Sequence, residues 1–286
     1  MNKFVNPFVD QAFKRIFGRE KSKRLMIDFL NAVIGDKNQI VEIEYGNKEQ
    51  VPVFDDGRTV VFDIYCHTSD GRNIVVEMQN NRQGFFKERS LFYAARSISS
   101  QGMRGKRWQY SFDAVYVISV LNFINKDISD RLRTEVMLYN IDSVTVFTDR
   151  LHLIYLQMPL AIKTEAECEN NFDYWMYILN NMENLKDIPF TDKNPVLVDL
   201  EDAATRLGMT YDEEVAYQRS LKRMWDYEAG IWSAKQEGLE EGMKEGMKEG
   251  RKKEKLSMAM NLKSLGVDIG TIVRASGLSK EEIEKL

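Results

Sequence analysis

The stretch that decides the fold is VVFDIYCHTSDGRNIVVEMQ, residues 60–79. Two runs rich in β-branched and aromatic residues flank Ser69-Asp70-Gly71, and this pattern predicts a β-hairpin. With the turn centred there, opposed residues share an index sum of about 140, which places Asp63 opposite Glu77. Side chains alternate along a strand, so Gln79 is expected on the same face as Glu77.

The predicted hairpin separates an apolar face from an acidic one. The face opposite the acids carries the side chains that we expect in the core, Phe62, Ile64, Val76 and Met78. On the other face the two carboxylates repel each other, by about 1 kcal/mol in water and several times more near a protein surface. An exposed hairpin edge whose acids only face water is an equally open interpretation, because a one-residue shift of register separates them.

A divalent cation would turn this repulsion into a binding site. Carboxylate and amide oxygens are hard ligands, which favour Mg²⁺ or Mn²⁺. The chain has two histidines, His67 and His152, so a histidine-rich zinc site is close to excluded. A bound ion of this kind polarises a phosphate and lowers the pKa of its water, which is the chemistry of phosphodiester hydrolysis.

Length and composition limit the class of protein. The 286 residues are 43% hydrophobic and 29% charged, which predicts one large domain, or a domain with an appendage, and excludes a disordered chain. Two cysteines and no apolar run of roughly 20 residues predict a cytoplasmic protein with no membrane association. The net charge of −4 gives no overall attraction to nucleic acid, so such binding needs a local basic patch.

Hydrophobic periodicity predicts further helices and strands. Helical segments are expected at 7–34 with a break at Gly18, at 85–101, at about 170–186, and from Pro195 to Trp232. Additional strands are expected at 41–45, 112–121 and 151–157. A change in composition near residue 232 divides the chain into a domain at 1–232 and a tail at 233–286.

A basic stretch follows the hairpin directly. Arg89, Tyr93 and Arg96 share one face of a predicted helix, and such a face can hold the phosphates of DNA. The other basic residues in this stretch are Arg82, Lys87, Arg104, Lys106 and Arg107. A solvated basic face is the alternative, but adjacency to the acids favours DNA contact, mainly to the backbone and sensitive to salt.

The first helix carries two further candidate residues. Asp10 and Lys14 lie four apart on one helical face and could line the same site, with Asp10 as an additional, water-mediated metal ligand. A surface ion pair is the alternative interpretation, and a pair of that kind stabilises a fold little.

Five ordered features resemble a known nuclease family. They are the opening Asp10-Gln-Ala-Phe13-Lys14-Arg-Ile-Phe17-Gly18, then Asp63 with the hairpin to Glu77-Met78-Gln79, the helix Arg89-Ser-Leu-Phe-Tyr93, the strand Phe112–Leu121, and the glycine-repeat tail ending in Gly-Leu-Ser-Lys-Glu-Glu-Ile. The chain therefore resembles the recombination-promoting nuclease and transposase-like (Rpn) family of the PD-(D/E)XK nuclease superfamily. It shares the variant in which Gln replaces the usual Lys.

The resemblance implies a fold, an activity and a set of site residues. The implied fold is α/β, a restriction-endonuclease-like core with a mixed central sheet flanked by helices. The implied activity is metal-dependent endonucleolytic cleavage of DNA, linked to recombination. By motif match, Asp63 and Glu77 would be metal ligands with Gln79 beside them. A lysine at that position would offer a positive charge, whereas Gln79 offers only an amide dipole.

The tail at 233–286 suggests self-association. Four of its glycines, Gly238, Gly242, Gly246 and Gly250, lie four residues apart. Four glycines in a helix cost about 4 kcal/mol relative to alanine, and close approach of a second helix along this stripe could offset that cost. A flexible charged linker is the alternative. The acidic final helix, which begins at a Ser279–Glu282 capping box, favours a protein-binding or oligomerisation module over DNA recognition.

Two functional hypotheses follow from the sequence. The leading one is a Mg²⁺-dependent endodeoxyribonuclease with its site at Asp63, Glu77 and Gln79. The alternative is a non-catalytic, nuclease-derived assembly or regulatory protein that acts through its C-terminal helical tail.

Overall fold

The computed structural model describes residues 2–35, 39–47, 49–50, 60–82, 84–102 and 110–286. The chain forms two compact units, Met1–Met224 and Trp225–Leu286. The first unit contains the predicted hairpin and the sheet, and the second is helical.

The first unit is built on a mixed six-stranded sheet with strand order β1-β4-β5-β6-β8-β7. Strands β5, β6 and β8 are parallel to one another, whereas the outer pairings, β1 with β4, β4 with β5 and β7 with β8, are antiparallel. The strands are β1 (Ile43–Tyr45), β2 (Glu49–Gln50), β3 (Val60–Val61), β4 (Ile64–Thr68), β5 (Asn73–Gln79), β6 (Val115–Leu121), β7 (Arg133–Asn140) and β8 (Thr145–Gln157), of which β2 and β3 form a separate pair.

Helices cover both faces of this sheet, which confirms the predicted α/β class. The α-helices of the chain are α1 (Asp10–Phe17), α2 (Lys23–Ile34), α3 (Phe86–Ser99), α4 (Asn171–Asn181), α5 (Leu197–Ala204), α6 (Tyr211–Ser264), α7 (Ile269–Ser276) and α8 (Lys280–Glu284). Short 3₁₀ helices lie at Glu20–Ser22, Met158–Leu160, Glu165–Glu167 and Met182–Asn184. The predicted break at Gly18 separates α1 from the 3₁₀ turn that precedes α2.

The β4–β5 hairpin has the predicted register. Ile64 opposes Val76 and Tyr65 opposes Val75, so the index sum is 140, and Gly71 adopts a left-handed conformation in the turn with φ of 89°. Strand β4 begins at Ile64, and the preceding Asp63 lies in a bend of the backbone.

The prediction of one apolar and one acidic face is wrong in two respects. Ile64, Val76 and Met78 do lie in the larger core with α1, α2, α4 and α5, but Phe62 packs on the opposite side with Tyr65 and Val75. The bend at Asp63 breaks the strict alternation, which is why Phe62 changes sides. The face with the acids is also buried, because α3 covers it.

Strand β7 was not predicted from the sequence. It pairs with β8 at the edge of the sheet. The part of this pair that extends past β6 carries exposed apolar side chains on both strands. β8 is consequently longer than the predicted strand at 151–157, since Thr145 to Arg150 pair only within this hairpin.

The position of α1 is fixed by a buried arginine. Arg15 is 3% exposed, and its guanidinium donates to the carbonyls of Ala203 (2.9 Å) and Gly208 (3.1 Å) and to Glu213 (2.6 Å). Arg19 contacts the same carboxylate at 2.6 Å. Hydrogen bonds to a buried guanidinium are costly to break. They therefore fix the position of α1 and of the other side chains that this helix carries.

The second unit has a small core of its own. Ala259, Ile272, Leu278 and Ile283 are buried against one another where α6, α7 and α8 meet. The predicted capping box at Ser279 and Glu282 is present at the start of α8. Among the residues described in either unit, no helix is long and apolar enough to cross a membrane.

Candidate active site

The candidate site lies at the end of the hairpin that is far from its turn. Glu77 and Gln79 lie at the carboxyl end of β5, and Asp63 immediately precedes β4. Because β5 and β6 are parallel, their carboxyl ends meet at one edge of the sheet, the position where open α/β sheets place ligands.

The two predicted acids are held side by side by reciprocal hydrogen bonds. The backbone N–H of Met78 donates to Asp63 Oδ2 at 2.9 Å. The backbone N–H of Asp63 donates to Glu77 Oε1 at 3.1 Å. Each carboxylate therefore accepts a hydrogen bond from the backbone on the other side of the hairpin. The pairing of the hairpin thus holds the two acids next to each other.

Two basic side chains on different helices, α1 and α3, approach the acids. Lys14 of α1 lies 3.8 Å from Asp63 Oδ1 and 2.7 Å from Asp10. Arg89 of α3 lies 3.3 Å from Glu77 Oε2. From the sequence, Arg89 was predicted to contact DNA. Its contact with Glu77 joins residues twelve apart, on a helix and a strand, and the spacing of residues along one element does not reveal such a contact.

Gln79 and Tyr93 complete the cluster around Arg89. The amide of Gln79 donates to Glu77 Oε2 at 3.4 Å, and its carbonyl oxygen accepts from Arg89 at 3.4 Å. Arg89 Nε donates to the hydroxyl of Tyr93 at 2.9 Å, and the guanidinium lies 5.1 Å from the centre of the Tyr93 ring. These contacts orient Arg89 towards the acids.

Arg96 lies beyond this chain of contacts. It follows Arg89 by seven residues, about 10 Å further along the helix axis, and its side chain is half-buried. Arg82, at the start of the basic stretch, forms an ion pair with Asp127 at 2.9 Å. Lys87 is exposed on α3, and the remaining predicted basic residues, Arg104, Lys106 and Arg107, lie outside the described residues.

Burial makes the acid pair costly to ionise. The Glu77 side chain is 4% exposed and that of Asp63 is 20% exposed. Burial raises the pKa of Asp63, although the Met78 N–H and the charge of Lys14 act in the opposite direction. Burial, followed by repulsion from Asp63, raises the pKa of Glu77 from 4.5 to about 8. Such shifts are common at functional sites.

The two carboxylates fit Mg²⁺ or Mn²⁺ better than a cation that must be coordinated entirely by protein ligands. Within the part of the chain that is described, no group of three or more His, Cys, Asp or Glu side chains is placed to hold a metal, and Lys14 contacts both Asp10 and Asp63. Mg²⁺ commonly binds one or two carboxylates and keeps several waters. Adjacent Asp63 and Glu77, which repel each other without a cation, meet that requirement.

Replacing Glu77 should stabilise the metal-free protein at alkaline pH. An acid whose folded pKa is raised contributes stability below its ordinary value of 4.5 and loses it as pH rises through about 8. Glu77→Gln remains neutral, so its thermal midpoint in EDTA above pH 8 should exceed that of the wild type by at least roughly 3 °C, the shift expected for about 1 kcal/mol. Near pH 4.5 the two midpoints should converge.

Glu135→Gln is a matched control with the opposite sign. Burial of Glu135 is outweighed by Arg133 and His152, which lower the pKa of its carboxyl. Its ionised form is therefore stabilising above 4.5, and the substitution should lower the midpoint at alkaline pH. Equal midpoints for Glu77→Gln and the wild type across this pH range would contradict the burial of an unfavourable charge at Glu77.

Comparison with known proteins agrees with the fold. The sequence matches the family model described as "PD-(D/E)XK nuclease family transposase" over residues 7–234. No curated protein and no solved structure matches the chain. The matched region includes the hairpin, α1 and α3, and it spans well over half of the sequence. The chain therefore belongs to the PD-(D/E)XK nuclease family transposases.

Proposed function

We propose that the protein is a divalent-metal-dependent endonuclease that hydrolyses phosphodiester bonds of DNA and serves DNA recombination. The observation that carries the proposal is the buried pair Asp63 and Glu77, held together by the hairpin and flanked by Lys14 and Arg89. Membership of a nuclease family supports DNA as the substrate.

Asp63 and Glu77 would hold Mg²⁺ or Mn²⁺. When bound, the ion would polarise the scissile phosphate and lower the pKa of a water molecule. The chain's own contribution is to keep both carboxylates adjacent and largely shielded from solvent. Shielding strengthens their attraction for a cation, because charges interact more strongly where the effective dielectric constant is low.

Lys14 and Arg89 would supply the positive charge that Gln79 lacks. Both lie within 4 Å of one of the acids, and both come from helices outside the hairpin. A cation at this distance can stabilise charge that develops on a phosphate. Gln79, which bonds both Glu77 and Arg89, would orient these two side chains.

The start of α3 would form the first DNA contact. Arg89 and Tyr93 lie beside the acids, and Arg96 extends the same helix. The apolar side chains of Phe85, Leu91 and Phe92 are about half-exposed or more. The arginine and tyrosine side chains would bind the DNA backbone and would not read the bases. We therefore expect weak sequence preference and strong salt dependence of binding.

Cleavage of supercoiled plasmid DNA tests the proposal. The wild type should nick or linearise plasmid in Mg²⁺ or Mn²⁺ and not in EDTA. Asp63→Ala and Glu77→Ala should each reduce the rate by at least roughly a hundredfold, because the metal loses a ligand. Asp187→Asn, at an exposed ion pair with Lys3, should cleave like the wild type.

The outcome that refutes the nuclease is specific. If Asp63→Ala cleaved as fast as Asp187→Asn, the cleavage would come from another site or from a contaminating enzyme. If the wild type neither cleaved DNA nor bound metal, the alternative of a non-catalytic assembly or regulatory protein would replace the proposal.

We also infer that the tail at 233–286 mediates self-association. Leu239, Met243 and Met247 are 58%, 61% and 60% exposed along α6. A β-carbon added at any glycine of the stripe, Gly238, Gly242, Gly246 or Gly250, would meet open space. An exposed apolar edge beside a smooth glycine stripe allows two helices to approach closely.

Light scattering of the full chain tests this inference. Leu239→Glu/Met243→Glu should reduce the mass in solution to that of the monomer. Met260→Glu/Leu265→Glu places the same two charges at residues that are 53% and 78% exposed and distant from the stripe along the chain, and it should leave the mass unchanged. A monomeric wild type, or equal masses for both variants, would refute self-association through the stripe.

A further inference from the structure

A basic groove in the second unit has no role in the proposed active site. It has a volume of about 580 Å³ and lies between α6 and the turn that joins α7 to α8. Its lining contains five basic side chains, Lys244, Lys248, Arg251, Lys252 and Lys255, together with Met247, Gly277, Leu278 and Glu282.

Five basic side chains and one acid, Glu282, line this groove, so its lining carries an excess of positive charge. Lys244 forms an ion pair with Glu240 at 2.6 Å. For the other four, no carboxylate of the described residues lies within 4.0 Å. Glu282, the acid in the lining, accepts the backbone N–H of Ser279 at 2.8 Å. The hydrogen bonds from Ser279, together with the nearby charges of Lys252 and Lys255, lower the pKa of its carboxyl.

The turn beside the groove admits a lysine side chain. Gly277 has φ of 67°, and a β-carbon at this position would lie 3.3 Å from Lys255 Nζ. Glycine therefore serves both the left-handed end of α7 and the approach of the ammonium group. The cations lie along one wall of a concave surface.

The spacing of the cations matches a polyanion. Lys244 and Lys255 are eleven residues apart on one continuous helix, which corresponds to about 16 Å of rise. One strand of B-DNA carries a phosphate about every 3.4 Å along its axis, so about five phosphates span that length. Five basic groups line the groove over the same distance.

The apolar part of the lining is too small to favour a peptide. Leu278 is 7% exposed and already belongs to the core of this unit. Met247 is the other apolar lining side chain, so an acidic peptide could bury little surface here. An extended polyanion needs only the charges.

We propose that this groove binds the phosphate backbone of DNA, as a second contact that is separate in sequence from the acid pair. The choice of DNA rests on the proposed nuclease function. Binding here would be independent of base sequence and of divalent metal, because ammonium and guanidinium groups recognise phosphates directly.

A charge-reversal pair in the full chain tests the groove. Lys248→Glu/Lys252→Glu reverses two lining residues. Lys235→Glu/Lys253→Glu makes the same change in net charge at exposed residues of the same helix, each nine residues, or two and a half turns, from Lys244 and so on its far side. Affinity for a short fluorescent DNA duplex is measured in EDTA over a series of NaCl concentrations, and light scattering confirms that the variants share one oligomeric state.

The groove variant should bind DNA at least about fivefold more weakly than the control, and its slope of log K against log salt should be smaller by about two. Equal affinities and slopes for the two variants would overturn the proposal. Unchanged DNA binding with loss of self-association in the groove variant would assign the groove to an acidic protein surface and overturn it as well. Because the assay needs no cleavage, a failed nuclease test leaves this result interpretable.

Discussion

The register of one hairpin forces two carboxylates together, and the chemistry of the site depends on that constraint. The turn at Gly71 sets the pairing of β4 with β5, and the pairing places Asp63 beside Glu77. A shift by one residue would move every side chain of a strand to the other face of the sheet. Burial of Ile64 and Val76 in the main core therefore protects the site, because such a shift would remove them from that core.

The same constraint destabilises the protein unless cations oppose it. Burial raises the pKa of both acids, and repulsion from Asp63 raises that of Glu77 further. A cation approaches the pair from each side. Lys14 arrives on α1, which Arg15 anchors through Glu213, and Arg89 arrives on α3, where Tyr93 orients it. Stability given up at a site of this kind is common where function needs a concentrated charge.

Much of this arrangement follows from the sequence, and the parts that do not have physical reasons. The hairpin, its register and the buried β6 are local patterns of apolar residues and turn residues, so they were predicted. Phe62 was placed on the wrong side because strict alternation ignores a bend. Strand β7 was missed because its exposed apolar residues show no one-sided pattern. The contacts of Arg89 and Arg15 join residues distant in sequence, which periodicity does not detect. The groove on α6 requires the path of the chain after Ser264.

Binding of Mn²⁺ to the metal-free protein tests the central claim most directly. Titration calorimetry should detect Mn²⁺ binding to the wild type and to Asp187→Asn, and binding should weaken by at least roughly tenfold in Asp63→Asn and Glu77→Gln, which keep the size of each side chain but remove its charge. Mn²⁺ affinities equal in all four proteins would contradict the account, because the buried acid pair would then not be the metal site.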